Sequence, residues 1–321
     1  MLKLDPFDLR VKSELSKYRT DSLGMSEQGT WRGRSYGHIL PRESSRSNII
    51  PSIREAFWNA PVGKVKLHTD FHHLNSSQGL CFNLFFPFLS SEDYLQILLN
   101  ALGIEGNPGT GAEFEYAPDP LEHTSIDLLL PLESGARVLI EVKYTETSFG
   151  SAKRDREHLD KFALIYRPRF DGRFVPEYEQ VDAFLKHYQI LRNIWHIRDE
   201  EGDIVVFLLP RSNEALRRRV NVIEECTHHR FRKRVRIVYL EDLLETLEKR
   251  SVAHPRLCVT LAEFREKYLS GAIVEKKLMR GSTRFNPYTI AENAKGEVGS
   301  PSKDALWQDS SPSLRTQASL K

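Results

Sequence analysis

The sequence predicts an α/β fold with a mixed central sheet and flanking helices. Three observations predict it. Two capped helical segments come first, at Asn75–Phe85 and Ser90–Leu102; three strand-like segments follow between Glu113 and Tyr144; helix and strand then alternate to about Tyr268. The composition is that of a globular chain, with 40% hydrophobic and 28% charged residues among 321, which excludes a wholly disordered or fibrous protein.

Residues 1–70 read as a polar N-terminal arm. Its first 66 residues carry twelve Lys/Arg against seven Asp/Glu and show no sustained helical or strand period. The body is expected over 71–275. Asn75, Ser76 and Ser77 can cap a helix through Leu80, Cys81, Leu84 and Phe85 that Pro87 stops. Ser90 and Ser91 precede Leu95, Leu98, Leu99 and Leu102 on one helical face, with Gly103 as the residue after the C-cap.

Strands are predicted over Glu113–Ala117, Ser125–Leu130 and Arg137–Tyr144, as neighbours in a meander. A long polar connection, Thr145–Gln180, leaves the third strand and reads as a flap facing the substrate. One helix carries Val181, Phe184, Leu185, Tyr188, Leu191 and Trp195, and Asp203–Leu209 is a buried strand. Ser212 is expected to cap a helix holding Leu216, Val220 and Ile223 inward. Val235–Leu240 is the last strand, followed by a helix through Leu247, and Thr260–Glu263 has the spacing of a capping box opening a final helix. Residues 276–321, rich in Ser, Gly, Pro, Asn and Lys, are expected to be a disordered tail.

The longest apolar stretch, Phe82–Leu89, is too short to cross a bilayer, and no apolar signal core is legible near the start. Cys81, Cys226 and Cys258 are odd in number and lack Cys-x-x-Cys spacing, so a cytoplasmic protein without disulfides is expected. The His68, His72, His73 group and the Cys226, His228, His229 group each fall short of a four-ligand set, and structural zinc is not expected.

The chemistry lies in the second and third strands of the meander. Both are apolar except for Asp127, Glu141 and Lys143, and charges in a covered strand are costly unless paired or bound to metal. If Glu133-Ser134-Gly135 is a three-residue hairpin loop with Gly135 left-handed, Leu132 pairs with Ala136 and Asp127 falls opposite Glu141. Cross-strand partners share a face with Cβ atoms about 4.5–5.5 Å apart. Ile126, Leu128 and Leu130 then join Val138, Ile140 and Val142 on an apolar face, while Asp127, Glu141 and Lys143 gather on the other. Two carboxylates there suit Mg²⁺, and Lys143 can orient or deprotonate a water, which points to metal-assisted phosphodiester hydrolysis.

At these residues the sequence resembles the PD-(D/E)xK nuclease superfamily, on Asp127 … Glu141-Val142-Lys143 and the element order around them. Trp31-Arg32-Gly33-Arg34, Leu74-Asn75-Ser76-Ser77-Gln78 and Tyr188–Asn193 resemble a restriction-endonuclease-like branch of it. The resemblance implies an αβββαβ core, a Mg²⁺ or Mn²⁺ requirement, Asp127 and Glu141 as metal ligands and Lys143 assisting the water of a (endo)deoxyribonuclease-like phosphodiesterase. Ile126 stands where the pattern commonly has Pro, and Gln78 is the nearest polar residue on the first helix, where many members carry Glu.

Gln78, Gln189 and Arg192 are expected in supporting positions. Gln189, Arg192 and Asn193 form a polar stripe that reads either as a contact to phosphate or metal-bound water, or as a solvated face. Glu113 and Glu115 alternate on the first strand and read as exposed edge residues, or one of them as a further carboxylate at the site. Nine Lys/Arg between Arg211 and Arg236, among them Arg217, Arg218, Arg219, Arg232 and Lys233, read as a phosphate-binding patch or a solvated helix face. DNA is the expected partner, with RNA and a homodimer both compatible and no membrane contact. The alternative is a binding module that keeps this fold and does not cut.

Overall fold

The computed structural model describes residues 6–60 and 65–279. Helix α1 (Pro6–Lys17) is followed by a hairpin of β1 (Gly29–Trp31) and β2 (Arg34–Tyr36), and then by α2 (Pro51–Asn59). This corrects the reading of residues 1–70 as an aperiodic arm. Phe7, Val11, Leu15 and Tyr18 recur on one face of α1 and the turn after it, and they pack with Ile49, Ile50 and Phe57 into the main core. Their period is hidden in the sequence by the charged residues between them.

Helices α3 (Ser77–Phe85) and α4 (Glu92–Ala101) begin where the caps predict. The Ser76 hydroxyl accepts from the Gly79 amide at 3.3 Å and the Ser91 hydroxyl from the Tyr94 amide at 3.2 Å. Gly103 follows α4 at φ +68°.

Five strands form the central sheet in sequence order: β3 (Glu113–Tyr116), β4 (Ile126–Pro131), β5 (Arg137–Val142), β6 (Ile204–Leu209) and β7 (Val235–Tyr239). The first three are an antiparallel meander, and β5, β6 and β7 run parallel. The mixed α/β fold and its helix–three strands–helix–strand core therefore stand as expected. Alternate side chains divide between two apolar layers. Leu128, Leu130, Val138, Ile140 and Val142 face the helices α1 to α4 and the later helices α10 (Leu240–Arg250) and α11 (Pro255–Met279). Leu129, Leu139, Val205 and Phe207 face the second layer. Ile126 departs from the expected face and packs in the second layer, at the first residue of β4, where Arg192 reaches over to the Ser125 carbonyl.

The second layer is built largely from the segment 145–180, which is not a flap. It holds α5 (Arg156–Lys161) and several single turns, and Phe149, Phe162, Tyr166, Phe170 and Phe174 are buried against the sheet. Two helices follow, α6 (Val181–Lys186) and α7 (Tyr188–Trp195), because His187 leaves helical geometry at φ −115°, ψ 32°. Asn213, not Ser212, caps α8 (Glu214–Arg217), its Oδ1 accepting from the Leu216 amide at 3.1 Å. The chain breaks again before α9 (Val220–Cys226). The last helix starts at Pro255, five residues before the expected box, with Pro in the first turn where its missing N–H costs nothing. Thr260 lies inside it and bonds back to the Arg256 carbonyl at 3.0 Å. The tail expected over 276–321 falls, beyond residue 279, outside the described residues.

Candidate active site

The turn between β4 and β5 sets the site. Gly135 sits at φ +86°, its amide donates to the Leu132 carbonyl at 2.9 Å, and the Leu132 amide donates to the Ala136 carbonyl at 2.8 Å. Leu130 pairs with Val138, Leu129 with Leu139 and Leu128 with Ile140, so the next step of the register brings Asp127 opposite Glu141. Beyond that step the two strands part. The Val142 amide, which points toward β4, is met by Asp127 Oδ2 at 2.6 Å instead of a backbone carbonyl. The opened end of the sheet is thus lined by carboxylate.

Lys143 Nζ lies 2.8 Å from Glu141 Oε1. Glu141 Oε2 accepts from Asn193 Nδ2 at 3.0 Å, with Arg192 Nη2 at 3.8 Å. Glu141 is 3% and Lys143 9% exposed, whereas Asp127 is half-buried and provides the access. The exit from β5 is pinned: the Lys143 amide donates to Leu208, and Asn213 Nδ2 donates to the carbonyls of Tyr144 and Glu146 at 2.9 and 3.0 Å.

A third carboxylate stands in the row. Glu115 is opposite Asp127 by the β3–β4 register and carries φ +53°, a left-handed backbone in mid-strand that costs about 1–3 kcal/mol. It is not an exposed edge residue. Its oxygens accept from Gln78 Nε2 and Ser125 Oγ, each at 2.8 Å, and His68 Nε2 lies at 3.4 Å. Glu113, by contrast, is exposed.

Crowding separates the proton affinities of the carboxylates. Burial, reinforced by Glu141, raises the pKa of Asp127 well above the usual carboxylate range despite Lys143. Burial acts on Glu141 in the same direction but is outweighed by Lys143, Arg192 and Asn193, and its pKa is lowered. For Lys143, burial is outweighed by Glu141, Glu146 and Asp127, so its pKa is raised. The Glu115 hydrogen bond raises the pKa of His68. Hard oxygen donors from Glu115, Asp127 and Glu141, with no protein donor bonded to Asp127 Oδ1 among the described residues, fit a small divalent cation such as Mg²⁺.

The supporting residues divide. Arg192 is at the site and, with Asn193, steadies Glu141. Gln78 acts one step away: it holds Glu115 and accepts from the His68 amide at 2.9 Å. Gln189 is packed over Gly150, whose added Cβ would come within 2.7 Å of its Oε1. The basic run also separates. Arg217, Arg218 and Arg219 follow the C-terminal end of β6, the end of the sheet where Lys143 emerges, and are exposed. Arg232 and Lys233 are exposed but precede β7 at the opposite end, where neighbouring Arg230 and Arg234 pair with Asp199.

His68 and the direct contact of Asn193 were not expected from the sequence, whereas Glu115 follows the reading that one carboxylate of the first meander strand joins the site. Asn193 was visible as part of the α7 stripe, but the positive φ that turns Glu115 inward has no sequence signal. A cavity of about 1470 Å³ lies elsewhere, lined by Phe86, Leu95, Phe114 and Leu132, and the three charged residues are not on its wall.

No curated protein and no solved structure matches the chain. A family model described as Restriction Endonuclease associating with ARP matches residues 12–269, well over half of the sequence and all of the sheet and site described above. The chain therefore belongs to this restriction-endonuclease-like family.

Proposed function

We propose that the protein is a metal-dependent nuclease of the PD-(D/E)xK kind that hydrolyses phosphodiester bonds of DNA. The observation that carries the reading is the convergence of Asp127, Glu141 and Lys143 on one face at the parted end of β4 and β5, beside Glu115. Asp127 and Glu141 are the residues that would hold Mg²⁺ or Mn²⁺, with Glu115 the adjoining carboxylate. When bound, the ion supplies a Lewis acid for phosphate and a more acidic water.

The chain's own residues do the rest. Arg192 and Asn193 hold the Glu141 carboxylate in place. Lys143 would orient the attacking water, or donate a hydrogen bond to a non-bridging phosphate oxygen, where charge grows during the displacement. Arg217 and Arg219, exposed at the same end of the sheet, are placed to meet a phosphate backbone.

Incubation of the protein with plasmid DNA tests this. Cleavage that requires Mg²⁺ or Mn²⁺ and falls by about 100-fold or more in Asp127→Asn and Lys143→Met, with both variants folded, is the expected result. Undiminished cleavage by the folded variants contradicts it, and DNA binding without cleavage in either ion identifies a binding module instead.

A further inference from the structure

A second, chemically different cluster lies in the turn before α3. Five buried side-chain nitrogens and oxygens have no hydrogen-bond partner among the described residues, and two of them are His72 Nε2 and His73 Nε2. A buried polar atom left unpaired costs about 1–3 kcal/mol, so two in adjacent residues call for a ligand. Asp70 completes the group. One ligand atom from each of Asp70, His72 and His73 lies within 4.8 Å of the others, and His73 Nε2 is 3.8 Å from Asp70 Oδ1. That gap is too long for a hydrogen bond. It is close to the roughly 3.4 Å that separates two ligands of one tetrahedral zinc at ordinary bond lengths.

The geometry points to Asp70, His72 and His73 as a binding site for a divalent transition-metal ion, Zn²⁺ in the first instance, with water in the fourth position. Imidazole nitrogens suit Zn²⁺ and not Mg²⁺, so this site is distinct in chemistry from the carboxylate row. His72 is 2% exposed, and the backbone of Thr69 and Thr30 contacts its ring. Its Nε2 meets no donor or acceptor among the described residues, which leaves a ring nitrogen that a metal ion could take. Asp70 is exposed, which gives the ion a way in. Its carboxylate also offsets Arg42, bonded to the Thr69 carbonyl at 3.4 Å.

The surrounding backbone is already fixed. The His72 carbonyl accepts from the Leu40 amide at 3.0 Å, and Asn48 Nδ2 donates to the carbonyls of Phe71 and His73 at 2.5 and 3.0 Å. Closing the site therefore takes small side-chain movements, not a rearranged loop. His68, grouped with His72 and His73 by sequence spacing, is not in the set; it faces Glu115.

The test uses the full, tag-free chain after chelation. Titration with Co²⁺ is expected to give the visible absorption of a tetrahedral ion at one equivalent, displaced by one equivalent of Zn²⁺. His72→Gln and His73→Gln should each reduce that stoichiometry from one toward zero. His38→Gln, whose ring lies 6.3 Å from that of His73, should retain it, as should Asp127→Asn, which disables only the carboxylate row. Wild-type chain that takes up no Co²⁺ or Zn²⁺ at micromolar concentration overturns the proposal. So does a tetrahedral Co²⁺ spectrum that survives in folded His72→Gln and His73→Gln.

Discussion

Replacing Glu122 by Gln is the sharpest probe of how the second helical layer holds the site. Glu122 is fully buried. Its carboxylate accepts from the hydroxyls of Tyr166, Thr124 and Tyr188, the last at 3.3 Å, with His196 Nε2 at 3.7 Å. Burial alone would raise its pKa, but His196, Thr124, Tyr166 and the nearby Arg192 bring it from 4.5 to about 2. Because folding lowers this pKa, the ionised group stabilises the native chain above about pH 4.5, and the contribution fades as pH falls toward 2. At about 1.4 kcal/mol per tenfold change in proton affinity, the contribution is about 3 kcal/mol near pH 7 and roughly 1.5 kcal/mol at pH 3. Gln preserves the shape and loses the charge. Urea unfolding of both proteins from pH 7 to pH 3 should show a stability gap that narrows by about half across that range, at constant m-value. A gap of equal size at every pH would mean that packing, not the ionised carboxylate, carries the effect. The same variant should loosen α7 and, through Arg192 and Asn193, the hold on Glu141.

Two further outcomes follow from the site itself. Asp127→Asn removes one carboxylate from the crowded row, so in metal-free buffer near neutral pH it should raise stability by about 0.5–2 kcal/mol, although it lowers cleavage in Mg²⁺; thermal unfolding that shows a loss instead would mark Asp127 as a structural residue. Gly135→Ala places a Cβ in open space at φ +86° and should cost only the left-handed strain of about 1–2 kcal/mol, with β4–β5 pairing and activity kept. Activity lost in a stable Gly135→Ala protein would mean that the site needs the unstrained turn itself, beyond the register that the turn closes.

The parts of the fold that were legible in the sequence are those with a local chemical signature. Ser76 and Ser91 announce their helices through capping oxygens, and Gly135 together with the alternation on β4 and β5 fixes which face Asp127 and Glu141 share. Two segments carried signals that charge obscured. Phe7, Val11, Leu15 and Tyr18 repeat every three or four residues, and Phe162, Tyr166, Phe170 and Phe174 every four, yet Asp8, Arg10, Lys12, Glu14 and Lys17 in the first stretch and Arg167, Arg169, Asp171 and Arg173 in the second interrupt the apolar pattern. Other features depend on tertiary geometry alone. The turn of Glu115 into the site needs a left-handed residue in mid-strand, and the meeting of Asp70, His72 and His73 needs a folded loop that no spacing rule encodes. The basic run from Arg211 to Arg236 illustrates the reverse error, since residues close in sequence stand at opposite ends of a parallel strand pair.

In the proposed function the carboxylates at the parted end of β4 and β5 seat a divalent cation. Paramagnetic resonance of Mn²⁺ titrated into the protein measures this without reference to cleavage. Saturable Mn²⁺ binding that is competed by Mg²⁺, lost in Asp127→Asn and preserved in His73→Gln is the expected result. Mn²⁺ that stays free in the wild type, or binding that Asp127→Asn leaves intact, would contradict it.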